Sequence, residues 1–219
     1  MSVETGAPSD MLAAHPETAY FWGRVAADGE CEDGCVTVRT SDETAARRLA
    51  SIAGAERADR RIVERAYAHD TSITRREEEF TVQVVGGLAD RASAALGLPF
   101  EGEAGGYRFD AFADYDRQLL RGLLEGCGTV CFKSDAGAVG ISFVHADERL
   151  LRTIRMLLDR CPVDAPSDDL AEASSGYWFG VADDAAPALG DWLYEGSEAT
   201  GLFAPSRRRK LRKSVERVR

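Results

Sequence analysis

The sequence predicts an α+β protein made of two pseudo-symmetric αββαββα repeats, antiparallel sheets backed by helices. Two helical strings, each ending in glycine, recur about 99 residues apart. Each is followed by the same succession of alternating strands and capped helices. The 219 residues, 44% hydrophobic with a mean hydropathy of −0.27, are enough for a buried core and too polar for a membrane domain.

The first repeat, expected over residues 17–106 after a polar extension of 1–16, opens with a helix at AYFWGRVAADG, ended by Asp28-Gly29. The short GECED stretch and CVTVRT (35–40) form a first hairpin. SDETAARRLASIAG is a helix capped by Ser41 or Asp42, with apolar positions at Ala45, Leu49 and Ile52. Alternation at 57–68 and 79–85 gives a second hairpin, and GLADRASAALG closes the unit as a helix. The second repeat, 107–205, follows the same order. Its elements are a helix at 114–128, strands TVCFKSD and AVGISFVH, a capped helix at 146–160, a weak strand near DAPSDDLAEASSG, the strand YWFGVA and the helix APALGDWLYEG. Residues 206–219 remain as a basic C-terminal tail with eight cationic side chains and one anionic.

The net charge is −10, from 27 basic and 37 acidic residues, and the only lysines are Lys133, Lys210 and Lys213. Arginine therefore supplies almost all positive charge, and its fork suits phosphates and base edges. Acidity with so few lysines also resembles the composition of proteins from salt-loving microbes, where dense salt screens surface repulsion. No apolar run reaches the roughly 18–20 residues that cross a bilayer, and MSVETGAPSD lacks the order of a signal peptide, which predicts a cytoplasmic chain with no membrane partner. Five cysteines, an odd number, fit reduced thiols rather than a disulfide framework.

The two glycine-ended strings carry the most information. FWGRVAADG (Phe21–Gly29) and LRGLLEGCG (Leu120–Gly128) resemble the paired signature motifs of the LAGLIDADG homing endonucleases, matching at Gly23, Ala27, Asp28 and Gly29, and at Leu120, Gly122, Leu123 and Gly128. The resemblance spans roughly residues 17–213, including the ending WLYEGSEATGLFAPSRRRKLRK. Independently of the family, small residues four apart, Gly23 with Ala27 and Gly122 with Gly126, allow two helices to cross with close backbones and join the repeats. The resemblance implies a monomer whose sheets form a saddle over double-stranded DNA. It further implies that the penultimate motif residues meet and hold Mg²⁺ or Mn²⁺ for phosphodiester hydrolysis. Asp28 is then the catalytic and metal-binding carboxylate, and the alternative for it is a plain helix cap.

Its counterpart is Cys127, and a thiol is a poor ligand for a hard cation. Glu125 lies two residues away, about 200° around the helix, and so does not replace it. The expectation is a DNA-binding protein that nicks one strand rather than cutting both, the alternative being a cleavage-dead DNA-binding transcription regulator. Two C-x₃-C pairs, Cys31/Cys35 and Cys127/Cys131, raise a zinc site as a further alternative.

Alternation also selects the strand residues that would face DNA: Thr37, Arg39, Arg57, Arg61, Arg65, Tyr67, Thr81 and Gln83 in the first repeat, with Val36, Val38, Ala58, Ile62, Phe80, Val82 and Val84 turned inward. The second repeat offers Lys133 and Ser142 beside an acidic region at Asp164, Asp168, Asp169 and Glu172. Arg207, Arg208, Arg209 and Lys210 in the tail would add phosphate contacts, or form a basic extension with no specific partner. Tyr107, Tyr177, Trp178, Phe179, Trp192 and Tyr194 are expected to serve packing.

Overall fold

The computed structural model describes residues 9–55, 58–67, 70–174 and 176–218, with 65–67 and 70–75 described by their backbone alone. The first repeat contains α1 (Pro16–Asp28), β1 (Gly29–Glu32), β2 (Cys35–Thr40), α2 (Glu43–Ala53), β3 (Ala58–Tyr67), β4 (Asp70–Val85) and α3 (Leu88–Leu96). The second contains α4 (Asp116–Cys127), β5 (Gly128–Lys133), β6 (Ala138–His145), α5 (Glu148–Asp159), β7 (Ala171–Ala173), β8 (Gly176–Val181) and α6 (Ala186–Tyr194). A short α7 (Ser197–Thr200) and α8 (Pro205–Glu216) follow. The strands form two antiparallel sheets of like order, β1-β2-β4-β3 and β5-β6-β8-β7. Among the described residues no helix is long and apolar enough to cross a membrane.

Local chemistry accounts for the element ends. His15 caps α1 by accepting from the Glu17 amide, and Asp42 caps α2 by accepting from Thr44 and Ala45. Asp147 caps α5 in the same way, and His145 accepts from the Asp147 amide. Gly54 and Gly97, both left-handed, stop α2 and α3. Each capping aspartate is also held by a segment distant in sequence. Ser206 N donates to Asp42 Oδ2 at 2.9 Å, and the Tyr107 hydroxyl donates to Asp147 Oδ2 at 3.0 Å. The residues that follow α3 are thus tied to α5, and those that open α8 to α2.

Each sheet packs one face on helices. Val36, Val38, Phe80 and Val82 are buried in the first, and Val130, Val139, Ile141 and the stacked pair Phe143–Phe179 in the second. Ile62 does not go inward as alternation suggests. It is 66% exposed, because the β3–β4 hairpin projects beyond the helices. The helix-side face there carries Arg60–Glu78 and Arg76–Glu64 pairs across the strands instead of a core. The basic stretch read as a tail forms α8, whose Leu211, Ser214 and Val215 are buried and whose Arg217 stacks on Phe132 of β5.

Candidate nucleic-acid interface and motif centre

The motif helices α1 and α4 cross at their small residues. A Cβ on Gly23 would lie 2.3 Å from the Leu119 carbonyl oxygen, one on Gly122 2.4 Å from the Tyr20 oxygen, and one on Gly126 2.4 Å from Ala27 Cβ. Close backbone approach therefore requires glycine at these positions. Gly29 and Gly128, which end the helices, have extended rather than left-handed backbone. Their constraint is space, since a Cβ would meet the Val25 and Leu124 carbonyls at 2.7 and 2.5 Å.

This crossing brings the motif tips together. A Cβ on Gly126 would sit 3.4 Å from Asp28 Cβ, and the Asp28 carboxylate acts on the neighbouring Cys127 thiol. Burial first, and that negative charge second, push the thiol up to about 12, so it is neutral at physiological pH. Its proton is directed to the Leu123 carbonyl, 3.4 Å away. Asp28 is 51% exposed, and Arg24 one turn earlier stands 3.9 Å from its Oδ2. Glu125 is buried with both oxygens engaged, Oε2 accepting from the Tyr20 hydroxyl of α1 at 2.6 Å and Oε1 from the Ala204 amide before α8 at 2.9 Å. Desolvation holds its carboxyl above the usual range. Among the described residues no group of three His, Cys, Asp or Glu is arranged to hold a metal ion. Cys31 faces the core, away from such a set, and burial raises its thiol to about 11.

Beside the tips lies a polar cleft of about 610 Å³, walled by the open face of the first sheet and by the start of α8. The strand residues expected to face DNA share this open face. Arg39 stands opposite Thr81, Thr37 opposite Gln83, and Arg61 opposite Glu79. The arginines are already engaged. Arg39 bonds Glu30 at 2.9 Å, which holds that carboxyl below its usual range, and Arg61 Nε bonds Glu79 at 2.8 Å. Thr37 is buried and Gln83 exposed. Arg65 and Tyr67 stand in β3 opposite Arg75 and Asp70, with side chains outside the description, and Arg57 lies outside the described residues.

On the second sheet Ser142 lies between Thr129 and Gly180, and Lys133 is paired with Asp183. Trp178, read as a packing residue, is 38% exposed on this open face opposite Val144. Of the four basic residues expected at 207–210, only Arg207 lines the cleft. Arg208 bonds Glu198 and covers Phe203, while Arg209 and Lys210 point to solvent.

Sequence reasoning missed the buried charges. Arg24 is 2% exposed and Arg121 1% exposed, the latter donating to the Leu193 and Leu202 carbonyls. The one available signal for Arg24 was its spacing, four residues before Asp28 on the same helix face.

Paired crossing helices, two sheets of matching order and tips that meet under an open β face define a LAGLIDADG-type architecture. The LAGLIDADG family model described as "Putative archaeal homing endonuclease" matches residues 1–219, and the chain belongs to this family. Among solved structures it is similar to the homing endonuclease I-WcaI bound to its DNA recognition sequence, with 8% identity, a TM-score of 0.58, and 96% and 94% of the two chains covered. It is also similar to the N-terminal LAGLIDADG domain of DUF199/WhiA, with 12% identity, a TM-score of 0.53, and 91% of each chain covered. At such identities these similarities establish the fold alone. Comparison with curated proteins finds no match.

Proposed function

We propose that this protein is a monomeric double-stranded DNA-binding protein of homing-endonuclease descent that recognises its site without cutting both strands, in the manner of a regulator. The observation that carries this reading is the meeting of Asp28 with a neutral Cys127 at the motif tips. The residues do not fit the Mg²⁺ or Mn²⁺ centre that paired cleavage needs. One tip carries a carboxylate and the other a protonated thiol, Glu125 has both oxygens engaged, and Arg24 holds a positive charge next to Asp28. No hydrolytic step follows from this donor set.

Binding would rest on the open faces of the two sheets. The first offers Thr37, Arg39, Arg61, Thr81 and Gln83, hydrogen-bonding groups suited to major-groove edges and phosphates. The second offers Lys133 and Ser142 around the exposed indole of Trp178. Because Arg39, Arg61 and Lys133 are paired with acids, their approach to DNA requires exchange of those partners. Such exchange favours specific over long-range electrostatic binding.

A second reading is supported by the half-exposed Asp28 carboxylate: it alone holds Mg²⁺ or Mn²⁺ and one strand is nicked. Supercoiled plasmid carrying a selected site, incubated with either ion, separates the two. The first reading predicts unchanged plasmid with wild type, with Asp28→Asn and with Cys127→Asp. Nicked circles from wild type that disappear with Asp28→Asn would establish the second. Linear product from Cys127→Asp would mark a nuclease disabled at that one position.

A further inference from the structure

The cations of the two open β faces are neutralised, Arg39 by Glu30, Arg61 by Glu79 and Lys133 by Asp183. Several of those on α8 are not. Residues 206–219 carry eight cationic side chains in a chain of net charge −10. Of these, Arg207 lines the cleft, Arg208 is held by Glu198 and Arg212 by Glu216. Arg209, Lys210 and Lys213 are exposed and form no ion pair among the described residues.

The packing of α8 sets the direction in which these cations point. Its buried stripe is Leu211, Ser214 and Val215, and the Leu211 methyls fill the space over Gly190 of α6, where a Cβ would stand 2.7 Å from one of them. At about 100° per residue, Arg209, Arg212 and Lys213 lie opposite that stripe, with Lys210 beside them. Arg217 covers Phe132 of β5, which alternates with Cys131 and Lys133, the two side chains that lie over Gly140 on the open side. The helix α8 therefore belongs to the layer behind the second sheet, and its free cations point away from that sheet.

From Arg209 to Arg217, about 12 Å of helix, every exposed side chain is charged and all but Glu216 are cationic. A ridge without apolar groups has nothing to insert into lipid and lacks the apolar centre of a protein interface. It suits a regular polyanion, and a duplex carries one charge per about 1.7 Å of its axis. We propose that Arg209, Lys210 and Lys213 form a second phosphodiester-binding surface, which holds a nucleic-acid duplex other than the one on the sheets, so that one molecule bridges two duplexes. The first of these duplexes rests on the DNA-binding reading above. The second contact is independent of sequence, because it reaches only backbone.

The test holds the protein on beads that carry a duplex it has selected, which occupies the open faces. A labelled duplex of unrelated sequence is then added, DNA in one arm and RNA in the other. Wild type should capture it, and the arm that captures names the source of the phosphates. Three neutralised phosphates give a slope of about −2.7 in log affinity against log salt, so capture should weaken about 40-fold between about 50 and 200 mM salt. Arg209→Gln, Lys210→Gln and Lys213→Gln, at exposed positions where glutamine keeps the helix, should each flatten that slope by about 1. The triple variant should lose capture while binding the selected duplex within about twofold of wild type, the two surfaces being independent. Sedimentation of the captured complex should give one protein to two duplexes. No capture by wild type, undiminished capture by the triple variant, or two proteins in the complex would overturn the proposal and leave the DNA-binding reading intact. So would loss of selected-duplex binding in step with capture, which would put all the contacts on one duplex. Release of the second duplex by polyglutamate as readily as by unlabelled duplex, at equal charge, would assign the ridge to an acidic protein instead. Absence of wild-type binding to any duplex at low salt would overturn both readings.

Discussion

The crossing of α1 and α4 carries the whole arrangement, and Gly122→Ala tests it. The added methyl would stand 2.4 Å from the Tyr20 carbonyl oxygen, where ordinary contact begins at 3.4 Å, and the obstacle is backbone that cannot rotate away. Relief requires the helices to separate by about 1 Å at a junction where α1 also presents Gly23 to the Leu119 oxygen at 2.3 Å. Overpacking of this kind costs about 3 kcal/mol, and replacing glycine by alanine within a helix returns about 1 kcal/mol, leaving a net loss of about 2 kcal/mol. In a chain of this size that lowers Tm by about 4–8 °C. Thermal unfolding by calorimetry, with Gly106→Ala as control, measures it directly. A Cβ at Gly106 meets nothing within 4 Å, so that variant should unfold with the wild type. A Gly122→Ala protein at least as stable as wild type would refute the close crossing, and with it the meeting of Asp28 and Cys127.

Three further predictions concern buried groups. Arg121→Met leaves the Leu193 and Leu202 carbonyls without their donor, at about 1–3 kcal/mol for each, and should show as a lower urea midpoint; an unchanged midpoint would remove the clamp between α4 and the C-terminal segment. Cys127, with its thiol pushed up to about 12, should alkylate at mildly basic pH on the order of 10³-fold more slowly than in the unfolded chain, as read by peptide mass spectrometry; equal rates would place it in solvent. Glu125 ionises above the usual range because it is buried, so the unfolded carboxyl loses its proton first. Stability contributed by this group then falls as pH rises past about 4.3, by up to about 1.4 kcal/mol per unit. Glu125→Gln lacks this dependence and should gain on wild type as pH rises above about 4.3 in urea titrations, whereas a gap constant with pH would contradict the burial.

Much of the architecture was legible because periodicity and helix ends are local properties. Gly29, Gly54, Gly97 and Gly128 mark helix ends, Asp42 caps α2, and alternation in β2 and β6 separates core residues from open ones. The repeat and the small residues of its motifs were equally visible, since close packing of helices leaves a spacing in the sequence. Tertiary partners leave no such trace. Alternation places Arg39, Arg61 and Lys133 on open faces but is silent about Glu30, Glu79 and Asp183, which neutralise them. It sends Ile62 inward because nothing local reveals that the β3–β4 hairpin outruns its helices. Arg24 and Arg121 lie in helices whose neighbours are almost all buried, and only the fold shows which carbonyls receive them. The basic run at 206–219 reads as a solvated tail by charge, yet Leu211 and Val215, one turn apart, suffice to dock α8 beside β5.

The most direct test is a selection of bound sequences from a pool of random duplexes, run in EDTA at high potassium salt and repeated with Mg²⁺. A defined site enriched in both conditions and recovered with both strands whole is the predicted outcome. Recovery of no preferred duplex, or of a site severed on both strands when Mg²⁺ is added, would contradict the account.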